Sequence, residues 1–190
     1  MNMKDLVYKA RSTRRFKESE AISRETLEGL VDLARVSPSG GNGQPLKYYL
    51  ACDAETNGKI FPHLRWAGAL PDWDGPAEGE RPAAYVILLC DTAIAGNPGC
   101  DHGIAAQTMM LAAADRGIAA CMLGAIDRDG LREAIGLDPR YNIALVLALG
   151  KPAETIVLDE VPADGSTKYW RDGESVHHVP KRTLKEIVIN

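Results

Sequence analysis

The chain has 190 residues, with 22 Lys and Arg against 26 Asp and Glu, and 45% hydrophobic and 25% charged residues. Such proportions exclude disorder and collagen-like fibres, and a net charge of −4 argues against general nucleic-acid binding. Residues 1–190 are expected to form one domain, with no run reaching the roughly 18–20 apolar residues of a membrane span.

The opening stretch MNMKDLVYKARSTRR lacks the apolar core of a secretory signal, so a cytoplasmic protein is expected. It reads as a helix over 3–10, with Asn2 as N-cap and Met3, Leu6, Val7 and Ala10 spaced as a buried stripe. Residues 1–24 carry Lys4, Lys9, Arg11, Arg14, Arg15, Lys17 and Arg24 against only Asp5, Glu18 and Glu20. A local excess of cations on a mildly acidic chain suits a small anion, not a polyanion. A second helix follows Ser23 as N-cap, carries Leu27, Leu30, Val31 and Ala34 on one face, and stops before Pro38.

A glycine-rich turn, Ser37 to Pro45, leads into a strand at Lys47–Cys52. The segment 55–66 reads as a helix interrupted at Pro62, and 68–82 as a long acidic surface loop. AYVILLC over 84–90 reads as a fully buried strand. From His102 to Arg116 runs an alanine-rich helix, apolar almost all round and ended by Gly117, which suggests burial centrally or against a second subunit. A strand at Ile118–Leu123, a helix near 128–135 ended by Gly136, and a strand at Ile143–Leu149 follow, and the final LKEIVIN alternates as a strand. Helices and strands without strict βαβ alternation favour an α+β sandwich over a doubly wound sheet.

Two segments bear on chemistry. Arg11-Ser12-Thr13-Arg14-Arg15-Phe16 packs guanidinium forks and hydroxyls into a composition suited to phosphate. In Pro38-Ser39-Gly40-Gly41-Asn42-Gly43-Gln44-Pro45, glycines let backbone approach a ligand while Ser, Asn and Gln offer donors and acceptors to a heteroaromatic edge. That segment follows a helix and leads into a strand, the reverse of a dinucleotide-binding fingerprint. Cys52, Cys90, Cys100 and Cys121 form no CxxC pair, His177 and His178 point to opposite faces of an extended chain, and no metal site is expected. Asp101-His102 is read as a helix cap and dipole partner.

The pair of motifs, R-S-x-R-x-F near the start and P-S-x-x-N-x-Q-P after it, resembles the FMN-dependent nitroreductase family, as do Asp101–Leu137 and the basic Val179-Pro180-Lys181-Arg182. The resemblance implies a sandwich with a central mixed sheet flanked by helices, dimeric, with FMN at the subunit interface. It implies that Arg11, Ser12, Arg14, Lys181 and Arg182 hold the phosphate and ribityl chain, that Pro38, Ser39, Asn42 and Gln44 line the flavin, in related enzymes often from the other subunit of the dimer, and that the backbone at Leu123 and Gly124 lies near flavin N5. For the cation that the family places near flavin N1 and O2, Arg65 is the first candidate and Lys47 the second. Ala10 and Leu46 stand where many relatives have a basic residue and a Trp.

The implied activity is transfer of hydride from NADH or NADPH through FMN to a small acceptor such as a nitroaromatic or quinone, with no side-chain nucleophile or general base. The alternatives are a flavin enzyme of related scaffold, of dehalogenase or flavin-fragmenting type, and a non-catalytic FMN-binding module.

Overall fold

The computed structural model describes residues 2–190, and its first two helices begin where the sequence offers caps. Asn2 caps α1 (Met3–Lys9) by accepting the Asp5 amide, and Ser23 caps α2 (Arg24–Arg35) by accepting that of Thr26. Between them lies β1 (Phe16–Lys17). After a 3-10 turn at Gly40–Asn42 come β2 (Leu46–Ala51), α3 (Ala54–Ile60), β3 (Ala84–Asp91), α4 (Asp101–Asp115), β4 (Ala119–Leu123), α5 (Arg128–Ala134) and β5 (Tyr141–Pro152). The chain finishes with β6 (Ile156–Glu160), β7 (Trp170–Arg171), β8 (His177–Lys181) and α6 (Leu184–Ile187). Gly117 and Gly136 follow α4 and α5 with φ of 68° and 63°, the left-handed conformation that ends a helix without a Cβ penalty.

β5 is the centre of the main sheet. β3 and β4 flank it, β2 lies outside β3, and β1 pairs with the far end of β5, Phe16 opposite Pro152. Every strand pair in this sheet is antiparallel; parallel geometry is confined to a bridge between Ser12 and Ala120 and to the pairing of β6 with β8 in a small second sheet that also includes β7.

Alternation along β3 and β5 divides the core between the two faces of the sheet. Val86, Leu88, Leu147 and Leu149 pack with Leu27 and Leu30 of α2 and Ala106, Met109 and Ala113 of α4. Tyr85, Ile87, Val146 and Ala148 face Ile60 of α3, Trp66 and Leu131 of α5. All eight residues of β3 are buried, the burial that its continuous apolar run implied. Phe16, fully buried, sits against Gly150, where any Cβ would come within 2.8 Å of the ring and its Cβ. The aromatic residue that closes the basic segment is thereby locked into the core.

Two expectations change. LKEIVIN is not a strand: Thr183 and Glu186 form a capping box that opens α6 instead. The stripe on α1 is not buried within this chain, since Met3 is 65% and Val7 42% exposed, and only Leu6 and Ala10 reach the core.

Candidate functional site

The basic segment after α1 is held by backbone bonds, with Thr13 and Phe16 buried and Arg11, Ser12 and Arg14 lining a cavity. The Thr13 amide donates to the Ala120 carbonyl of β4 at 3.1 Å, and the Phe16 amide to the Glu80 carbonyl at 2.9 Å. Glu154, whose side chain is only 1% exposed, accepts the amides of Arg14 and Arg15 on one oxygen and the Arg171 guanidinium on the other, at 3.0 Å. A buried carboxylate satisfied on both oxygens anchors this turn from beneath.

Above it opens a cavity of about 350 Å³ lined by Arg11, Ser12, Arg14 and Lys181, with Gln107 and Met110 of α4, Met122 of β4 and Tyr169 completing the wall. Three cations and no carboxylate line it. The Lys181 ammonium makes no ion pair among the described residues. Arg11 donates to the Ala10 and Val7 carbonyls at 2.9 and 3.0 Å, capping the end of α1. Arg14 donates through Nη1 to the Ser12 carbonyl and meets His177 Nε2, both at 3.1 Å, while the Tyr169 ring covers its guanidinium at 4.5 Å. Of the residues the resemblance implied for the phosphate, the structure brings Arg11, Ser12, Arg14 and Lys181 to one cavity; Arg182 instead turns to Glu186 of α6, 3.7 Å away, and does not line it.

The glycine-rich loop lies at the start of α4, beside a smaller cavity of about 60 Å³ lined in part by Pro38, Ser39, Gln44, Tyr48 and Asp101. Asp101, read from the sequence as a helix cap, is instead the first residue of α4, after Cys100 at the cap position, and its side chain turns to the glycine-rich loop. Its buried carboxylate accepts Ser39 Oγ at 2.6 Å and the Gly40 amide at 3.0 Å, and these bonds hold it below the usual carboxylate range. Ser39 Oγ in turn accepts the Gln44 amide at 2.9 Å, so the hydroxyl is committed to folding the loop. Gly41, Asn42 and Gln44 have φ of 56°, 56° and 49°. For Gln44 that conformation costs on the order of 1 kcal/mol and is fixed by its amide bond and by Nε2 donating to Asn42 Oδ1 at 3.1 Å. Left without a partner among the described residues are Asn42 Nδ2, a donor, and Gln44 Oε1, an acceptor.

The turn after β4 is split. Leu123 buries its side chain on the α5 side of the sheet, away from the cavity, whereas Gly124 is exposed with open space where a Cβ would stand. Arg65 comes beside this turn, its amide donating to the Ala125 carbonyl at 3.0 Å and its guanidinium to the Pro62 carbonyl at 3.1 Å. Lys47 is exposed on β2 near Asp91, remote in the sheet from that turn. His177 faces inward and is fully buried; its neighbour His178 turns outward to Asp159 and Asp172. The sequence carries no signal that places Tyr169, His177 and Asp101 beside the candidate site, because each meets its partner there through a contact distant along the chain.

The sequence model of the Nitroreductase family matches residues 7–151, which include the basic segment, the glycine-rich loop and the main sheet except the last residue of β5. The chain belongs to the nitroreductase family. An Archaeoglobus fulgidus relative named "Putative NADH dehydrogenase/NAD(P)H nitroreductase" is 26% identical over 157 residues, 78% of this chain and 84% of that protein. A Desulfovibrio desulfuricans protein solved in complex with FMN superimposes with a TM-score of 0.72 at 25% identity, over 100% of this chain and 97% of its own. A nitroreductase family protein from Clostridium difficile 630 shares the fold, with a TM-score of 0.65 at 22% identity over 81% of this chain and 86% of its own. Among the described residues no helix is long and apolar enough to cross a membrane.

Proposed function

We propose that this single-domain protein is a cytoplasmic, homodimeric FMN-dependent oxidoreductase that draws hydride from NADH or NADPH and delivers it to a small acceptor such as a nitroaromatic or quinone. The observation that carries the reading is the cavity lined by Arg11, Arg14 and Lys181 and by no carboxylate, a donor set that fits a phosphate monoester. FMN, when bound, supplies the redox chemistry by taking up and giving back hydride at flavin N5.

The chain's own groups do the holding. Arg14 and Lys181 meet the phosphate, Ser12 adds a hydroxyl, and Arg11 contributes charge while capping α1. In the loop, Asn42 Nδ2 and Gln44 Oε1 offer the donor and acceptor that a flavin's pyrimidine edge requires, and Pro38 packs beside them. Ser39 acts through Asp101, by shaping that loop. Gly124 and the Leu123 backbone would hold the N5 side of the flavin, and Arg65, whose amide donates to the Ala125 carbonyl beside them, would supply a cation to the N1 and O2 side.

The two half-sites sit on different faces of α4. Asp101 and Gln107 are six residues apart, which turns the helix by about 240° and advances it about 9 Å. This divergence supports a site in which a second chain supplies one of the two sets.

An anaerobic visible spectrum of the purified protein, before and after NADH or NADPH, tests the reading. Bound FMN that bleaches on addition of either nucleotide supports it. FMN that stays oxidised with both points to another electron donor or to a binding role, and no flavin after reconstitution overturns it.

A further inference from the structure

Arg14 is held in an unusual way for an arginine offered to an anion. Both protons of its Nη1 are spent inside the protein, one on the Ser12 carbonyl and one on His177 Nε2, each at 3.1 Å. Its plane is fixed by the Tyr169 ring, 4.5 Å from the guanidinium carbon. What remains without a hydrogen bond among the described residues is the edge formed by Nε and Nη2 of a side chain that lines the cavity, a pair of donors suited to a two-pronged contact with phosphate oxygens.

We propose that His177 and Tyr169 are positioning residues for the flavin phosphate: they fix Arg14 so that its Nε–Nη2 edge faces the cavity before ligand arrives. The proposal rests on the FMN reading above and extends it to β8 and the loop before β7, beyond residues 7–151 that match the family.

The chemistry of His177 supports this role. Arginine only donates, so Nε2 must be the acceptor and the ring proton must sit on Nδ1. Burial, opposed by Glu154 and reinforced by Arg14, pushes the ring down to about 4, so it stays neutral and able to accept. The Nδ1 proton is buried with no hydrogen-bond partner. Leaving a donor unsatisfied in the core costs free energy that an apolar side chain of similar size would avoid. A histidine at this position therefore has its use at Nε2, against Arg14. The tilted Tyr169 ring, 5.2 Å from the imidazole, packs the two supports against each other.

The test is flavin titration of the apoprotein with FMN and with riboflavin, which lacks the phosphate, for the wild type, His177→Leu, His177→Gln and Arg14→Ala. His177→Leu is expected to weaken FMN binding about tenfold and to leave riboflavin within about twofold, while His177→Gln, which keeps an acceptor near the Nε2 position, retains most of the affinity. On an Arg14→Ala background, His177→Leu should add nothing. Equal losses for FMN and riboflavin, an unchanged FMN affinity, or a loss that persists without Arg14 overturns the proposal. If His177→Leu does not fold, Tyr169→Leu reads the same contrast from the partly buried ring, with an expected FMN-selective loss of about threefold, and a non-selective loss overturns it. A wild type that binds no FMN overturns the functional reading itself, whereas normal FMN binding with an indifferent His177 overturns only the positioning role.

Discussion

The carboxylate of Asp101 receives the Ser39 hydroxyl at 2.6 Å across 62 residues of chain, and so ties the glycine-rich loop to the start of α4. The same carboxylate takes the Gly40 amide, and the tied hydroxyl takes the Gln44 amide, so one buried charge organises a loop containing three residues at positive φ. The loop presents Asn42 and Gln44 only because this latch holds its backbone in a conformation that costs energy.

Asp101→Asn should therefore loosen the loop. The neutral amide keeps the shape but loses the charge-assisted bonds, with an expected loss of about 1.5–3 kcal/mol in urea unfolding and weaker FMN binding. Hydrogen exchange at the Gly40 and Gln44 amides checks the local effect: protection equal to wild type would show that the latch does not order the loop.

At Gly150 the expected effect is on packing alone. A Cβ there would lie 2.8 Å from Phe16, in a core with no room to yield. Gly150→Ala is expected to destabilise by about 1–3 kcal/mol and to disturb the basic segment that Phe16 anchors, measured as a lower denaturation midpoint together with reduced FMN affinity. An unaltered midpoint would mean that the ring relocates freely.

Arg14→Ala removes the guanidinium edge offered to the cavity. FMN affinity should fall by about 1.5–3 kcal/mol, the range for hydrogen bonds to a charged group, with riboflavin much less affected. Calorimetric titration decides it, and an FMN affinity equal to that of the wild type takes Arg14 out of the phosphate site.

Much of this arrangement was legible in the chain. Ser23 and the Leu27, Leu30, Ala34 face announced α2, the run AYVILLC announced a buried β3, and Gly117 marked the end of α4, because these signals are local. Arg11, Ser12, Arg14 and Lys181 were recognised through a resemblance, and the fold brings all four to one cavity. What escaped was tertiary. Asp101 reads locally as a cap, and nothing near it in sequence points to Ser39. His177 and His178 read as an outward and an inward residue in either order, and only the pairing of β8 with β6 and β7 sends His177 under Arg14. The C-terminal segment was misread for a local reason: Thr183-Leu184-Lys185-Glu186 is a capping box, a stronger signal than the short alternation after it.

The small sheet should respond to pH through His178. Its ring meets Asp159 of β6 at 2.8 Å and Asp172, after β7, at 3.4 Å, and stacks on Trp170 with centroids 4.1 Å apart. The bond to Asp159, helped by Asp172, raises its pKa above the ordinary histidine value. The folded chain thus holds the proton more tightly than the unfolded one. This contribution is fully present below about pH 6.5 and is lost as pH rises through the raised value. The Tm difference between wild type and His178→Gln should be widest near pH 6 and close toward pH 9; a constant difference would show that protonation adds nothing.

Self-association should follow from the surface that α1 leaves uncovered. Met3 and Val7 form one stripe, 65% and 42% exposed, and Tyr8 beside it is 61% exposed, while Ile104 and Leu111 of α4 are only partly buried. Apolar groups on a helix that precedes the basic segment and on one that lines the cavity are the surface a second chain would cover. Light scattering is expected to give twice the chain mass of 20.5 kDa. Replacing the stripe by Met3→Glu with Val7→Lys keeps α1 helical, because the new pair lies at i,i+4 in the favourable order, yet places charge where the partner would pack. The double variant should sediment as a folded monomer and lose FMN at the same time, since each flavin would then meet only one half-site. A monomeric protein that still holds FMN stoichiometrically would rule out a site shared between chains.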